Sequence, residues 1–89
     1  MTKLADLTEA DRLLVVSGTQ REYDEYLDVV AWQKSIPAKN VRRFRYISDL
    51  RGDRGPNLYY VCVGTWEDMP REPGLFRLFR QCGAEELAT

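Results

Sequence analysis

The sequence predicts an α/β fold: a small, mostly parallel three-stranded sheet with two main helices. Two observations carry this expectation. Leu13-Leu14-Val15-Val16 runs straight into Ser17-Gly18-Thr19, and Tyr59-Tyr60-Val61-Cys62-Val63 runs straight into Gly64-Thr65-Trp66. The first run does not alternate, so it reads as a strand buried on both faces, as parallel sheets require. Each run ends in glycine beside a hydroxyl residue, and an amphipathic helix follows the first at once. A Rossmann-like half unit starts in this way.

The elements follow in order. Residues 1–12 are polar and read as a peripheral lead-in, in which Thr8-Glu9-Ala10-Asp11 offers one capped turn. The first strand spans residues 13–17. Thr19-Gln20-Arg21-Glu22 is a capping box, a hydroxyl followed three residues later by a carboxylate. The helix behind it puts Tyr23, Tyr26, Leu27 and Val30 on one apolar face and Glu22, Asp24, Glu25 and Asp28 on the solvated side. Ile36-Pro37 ends it, because the residue before proline avoids the α region. Residues 41–47 alternate β-branched and aromatic residues with arginine, which reads as a half-exposed edge strand. Ser48–Asn57 reads as a loop, and residues 58–63 as the third strand. Gly74–Cys82 is a short helix with Leu75, Leu78, Phe79 and Cys82 on one face. Residues 84–89 read as a fraying tail. The expected core is Leu14, Val16, Tyr26, Leu27, Val30, Val61, Val63, Leu78 and Phe79.

Composition bounds the function. The 89 residues make one domain, with hydrophobic 44%, charged 30% and a net charge of -1. That balance argues against a general nucleic-acid binder. No apolar run approaches the ~20 residues needed to cross a bilayer, and Asp6 interrupts any apolar core of a leader peptide, so the expected location is the cytoplasm. Two cysteines make no disulfide framework: Cys62 reads as a small core residue and Cys82 as a structural one. The chain has no histidine. Ser-His-Asp and Cys-His chemistry are thereby excluded, and no cysteine or carboxylate spacing suits a metal. An enzyme would have to rely on groups such as Asp49 or Asp68 as base, and no paired catalytic groups are visible, so neither catalysis nor a cofactor is expected.

Topology nevertheless marks a place for a ligand. The more apolar strands belong at the centre and the arginine-bearing strand at an edge, giving the order 2-1-3 with right-handed crossovers. The loops leaving strands 1 and 3 then diverge and open a crevice at their carboxyl ends. Ser17, Gly18, Thr19, Gly64, Thr65 and Trp66 line it, and Arg51 and Arg54 reach it from the crossing loop. Free N–H groups at the helix start favour an anion there, and Trp66 is placed to stack on a base. Close backbone approach at Gly18 is what such a site needs. The nearby Glu22, Asp24 and Glu25 argue against a phosphate. A second cluster, Arg42, Arg43, Phe44, Arg45 and Tyr46, together with Phe76, has the arginine-aromatic make-up of a protein interface.

At Val15-Val16-Ser17-Gly18-Thr19, Arg45-Tyr46-Ile47-Ser48-Asp49, Leu50-Arg51-Gly52 and Val63-Gly64-Thr65-Trp66, the chain resembles a group of small, functionally uncharacterised bacteriophage proteins. The four patches stand in the same order and spacing, over residues 13 to about 80. The resemblance implies a reduced Rossmann-like unit without a P-loop, a phage or prophage origin, and an accessory role in the host cytoplasm. It brings no catalytic residues. The chain departs from the group in its longer Val29–Asn40 stretch, with Trp32 and Lys34, and in its additional Asp53-Arg54. The function expected from all this is binding of a host or phage protein, or self-association. A nucleotide or phosphate ligand in the crevice is the alternative. Neither a membrane nor nucleic acid is expected as a partner.

Overall fold

The computed structural model describes residues 2–45, 55–68 and 74–88. Its elements are β1 (Arg12–Ser17), α1 (Gln20–Gln33), β2 (Val41–Arg43), β3 (Leu58–Val63), α2 (Leu75–Gln81) and β4 (Glu85–Glu86), with short 3-10 turns at Leu4–Asp6, Ala38–Asn40 and Trp66–Asp68. The strands form one parallel sheet in the order β2-β1-β3-β4. The expected order 2-1-3 is therefore present, with a fourth strand added beside β3.

β1 lies between β2 and β3 and is buried on both faces. Leu13 and Val15 point into a cluster with Val30 of α1, Ile36, Val41 and Val61. Leu14 and Val16 point the other way, into a cluster with Phe44, Leu58 and the α2 residues Leu75 and Phe79. The two helices thus cover opposite faces of the sheet. Crossover handedness explains why. β1 to β2 steps one way along the sheet and β3 to β4 steps the other, so two right-handed crossovers must lie on opposite faces.

Within α1, Val30 is fully buried, while Tyr23, Tyr26 and Leu27 are half-buried against the same cluster. Thr19 caps the helix by accepting from Glu22 N–H at 3.1 Å, and Lys34 closes it in the left-handed region at φ 58. Of the expected core, Leu14, Val16, Val61 and Phe79 are also buried, and Leu78 and Val63 pack on its margins.

Three expectations are corrected. Residues 84–89 do not fray as far as they are described. Glu85 and Glu86 pair with Tyr59 and Tyr60, and Leu87, 3% exposed, donates its N–H to Tyr60 O at 2.9 Å. The lead-in is not peripheral either. Lys3 bridges Ala88 beyond β4, Leu7 is buried beneath the α1 side, and Asp11 is buried with its carboxylate accepting from Thr8 N–H at 2.7 Å. The two chain ends close one margin of the sheet together, a pairing between distant segments that no local pattern announces. The third correction concerns the edge strand, which is three residues long rather than seven; Phe44 N–H still bonds Val15 O at 2.8 Å. Residues 46 and 47 lie outside the described residues.

A frayed tail and a structural one respond differently to truncation. Leu87→Ala is expected to cost about 2–5 kcal/mol in denaturant unfolding, the range for buried leucines. A change at an unpacked position stays within about 0.5 kcal/mol.

Candidate functional site

The carboxyl ends of β1 and β3 are where an open parallel sheet presents a crevice, and here both loops do meet. Ser17 ends β1 fully buried. Its Oγ donates to Thr19 O at 3.0 Å and accepts from Arg43 Nε at 3.1 Å. Arg43 also donates to Gln20 Oε1 at 3.3 Å, so its guanidinium ties β2 to the start of α1.

Glu22 fills the space between the loops. Its Oε2 accepts from Thr65 N–H at 2.7 Å, and its Oε1 accepts from the hydroxyls of Thr65 at 2.9 Å and Thr19 at 3.2 Å. One carboxylate of α1 therefore takes up the Thr65 N–H and the hydroxyls of Thr65 and Thr19. The Thr65 N–H, then the Thr65 hydroxyl, hold the Glu22 carboxyl below its ordinary value, with Thr19 adding to the effect. Gly64, at φ +60, belongs to the same closure: a Cβ there would collide with the Glu22 carboxylate.

Gly18 has a different reason to be glycine. Its φ lies outside the left-handed region. A Cβ would nonetheless sit 2.5 Å from Thr65 O and run into the Thr65 side chain. The expectation that Gly18 leaves room for a ligand's close approach is corrected, because the backbone of Thr65 occupies that room. Trp66 is not left open for a base: its ring meets Phe76 edge-on, with centroids 5.7 Å apart at 89°. Of the eight residues expected to line the crevice, Ser17, Gly18 and Thr19 after β1 stand beside Gly64 and Thr65 after β3, joined by Glu22 and by the close approach of Gly18 to Thr65; the Trp66 ring packs on the α2 side, and Arg51 and Arg54 lie outside the described residues.

The interface cluster divides. Phe44 is fully buried and packs edge-on against Phe79, centroids 5.0 Å apart, so it belongs to the core and not to a partner surface. Its backbone bond to β1 continues the sheet and turns the ring onto the α2 face. Phe76 is half-buried among Tyr60, Trp66 and Phe79 and is corrected likewise. Arg42 and Arg43 are half-buried, Arg45 is exposed, and Tyr46 and Asp49 lie outside the described residues.

Burial raises the phenols of Tyr23, Tyr26 and Tyr60 above their ordinary value, so none is poised as a base at neutral pH. Among the described residues no group of three or more His, Cys, Asp or Glu side chains is assembled to hold a metal. Among the same residues no helix is long and apolar enough to cross a membrane.

What the sequence reading passed over is the outside of α1. Trp32 is 78% exposed and Val29 46%, the large hydrophobic residues that the described surface displays. The signal was present: Trp32 lies two positions beyond Val30, roughly 200° around the helix from the core-facing stripe. Near the same end of α1, a surface pocket of about 500 Å³ opens between the helix and the Thr8-Glu9 turn, lined by Ala31, Lys34 and Ile36. No protein family model, curated protein or solved structure matches the chain.

Two measurements test this account of the crevice. Gly18→Ala is expected to destabilise the fold by about 1–3 kcal/mol in denaturant unfolding, the usual cost of forcing extra volume into a packed site. Glu22→Gln is expected to lower the thermal midpoint at neutral pH. Because the folded carboxyl is depressed, its contribution is complete above the ordinary value of 4.5 and is lost as pH falls through the lower folded value. The gap between wild type and variant therefore closes on acidification; a gap that persists well below that range overturns the role of the Glu22 carboxylate in joining the two loops.

Proposed function

We propose that the chain is a non-enzymatic binding module that acts by docking another protein through the outer face of α1. The observation that carries this reading is Trp32, 78% exposed on a well-formed helix with Val29 beside it. Tryptophan presents a large apolar area at low conformational cost, and it is enriched among the residues that dominate binding energy. The crevice supports the same reading from the other side, since Glu22 already takes up both Thr65 donors. The proposal keeps the Rossmann-like character and the phage-type accessory role, with a host or phage protein in the cytoplasm as partner. It moves the contact surface from the Arg42–Tyr46 strip and Phe76 to α1.

A nucleotide or phosphate ligand is the second reading. It is favoured by the convergence of the Thr19 hydroxyl and the Thr65 N–H on the two oxygens of one carboxylate. It requires such a ligand to displace Glu22, which calorimetric titration with ATP, NAD and inorganic phosphate reads directly as heat or its absence.

The first reading is tested by capture from bacterial lysate with the wild-type chain and with Trp32→Ala. Loss of a hot-spot tryptophan costs about 2 kcal/mol or more, on the order of a 30-fold drop in affinity. A partner should therefore be retained by the wild type and lost by the variant. Equal recovery by both, or no partner with either, overturns docking through α1.

A further inference from the structure

We infer that the outer face of α1 is built to receive an arginine from its protein partner, its guanidinium laid on the Trp32 indole and paired with the Asp28 carboxylate. This rests on the protein-binding reading and specifies the chemistry of the partner.

Three features favour a cation at one place. Asp28 and Trp32 stand four residues apart on the helix, the spacing that makes side chains neighbours on one face. Both are exposed. An indole face attracts a guanidinium, the more so once water is excluded. Asp28 is the carboxylate available for it. On the same helix Glu25 is already bonded to Arg21 at 3.2 Å and Asp24 to Gln20 at 3.0 Å, while Asp28 has no partner among the described residues. The third feature is position. Trp32 lies in the last turn of α1, at the negative end of the helix dipole, which Lys34 at the C-cap offsets only in part. Val29, one turn before Trp32, offers apolar surface for the aliphatic stem or a neighbouring apolar side chain.

The same charges select among occupants. Two copies meeting through this face would bring Asp24, Glu25 and Asp28 against their own counterparts, and like-charge contacts at an interface are costly. Phosphate-bearing surfaces, whether nucleic acid or anionic lipid, are repelled for the same reason. Arginine is preferred over lysine because its planar group stacks on the ring and bonds a carboxylate with two donors at once.

The test uses the full chain and three synthetic amphipathic helical peptides of the same length. Leucine lines one face of each, and the other face carries arginine, lysine or glutamate. Binding is followed by the NMR shift of the Trp32 indole N–H, assigned with Trp32→Phe, and by titration at two salt concentrations. The arginine peptide is expected to shift the Trp32 indole and the Asp28 and Val29 amides. Its affinity should fall tenfold or more in Trp32→Ala and several-fold in Asp28→Asn. It should weaken at high salt and exceed the affinity of the lysine peptide. The inference is overturned if the arginine peptide binds elsewhere, or if both variants bind it as the wild type does. It is also overturned if the glutamate peptide is the one that shifts Trp32, an outcome that leaves protein binding through α1 standing. The broader reading fails on its own evidence, when Trp32→Ala captures what the wild type captures.

Discussion

The structure depends on β1 being buried on both faces. Leu13, Leu14, Val15 and Val16 are each at most 1% exposed, so four consecutive side chains must find apolar partners above and below the sheet. The backbone between them must also be paired on both sides, because an unpaired buried amide forfeits its bonds to water. β2 and β3 supply those bonds, in parallel register on either flank. α1 and α2 supply the two apolar faces. A strand with alternating polarity would have allowed one open face and needed only one helix.

That constraint also brings two loops together. Parallel neighbours end at the same side of the sheet, so the turns after β1 and β3 stand side by side and their backbone donors converge. Donors that converge need an acceptor. Here the acceptor is internal: Glu22, at the third position of α1, reaches past its own cap to Thr65. A first-turn acid of the first crossover helix thereby becomes the clasp between the central strand's loop and the next one. Gly18 and Gly64 are glycines because the clasp is tight, one pressed against the Thr65 backbone and the other against the Glu22 carboxylate.

With the crevice filled from within, the outside of α1 becomes the more informative surface. The helix has two apolar regions. One, ending in Val30, is buried against the sheet, and the other, Val29 and Trp32, faces water next to carboxylates. Exposed tryptophan beside acid is an arrangement suited to gripping a cationic side chain.

Much was legible from the sequence because it depends on near neighbours. The uninterrupted run at Leu13–Val16 announced a doubly buried strand, Thr19 announced the helix start, and the spacing of Tyr23, Tyr26, Leu27 and Val30 announced the sheet-facing side of α1. From strand polarity and crossover handedness the order 2-1-3 followed. Other features depended on what stands opposite in space. Phe44 sits in an arginine-rich stretch that reads as surface, yet its N–H bonds Val15 O one residue past the Val15–Arg43 pair and its ring lies against Phe79 of α2. Glu22 reads as a capping acid, and only the arrival of Thr65, forty-three residues away, gives its carboxylate a second role. Glu85–Glu86 carries no apolar pattern to announce a strand, and it becomes one because β3 offers an unpaired edge. Local periodicity determines which face of an element is apolar. Contact between segments far apart in the chain determines which polar groups are consumed, and with them where this protein has surface left to bind.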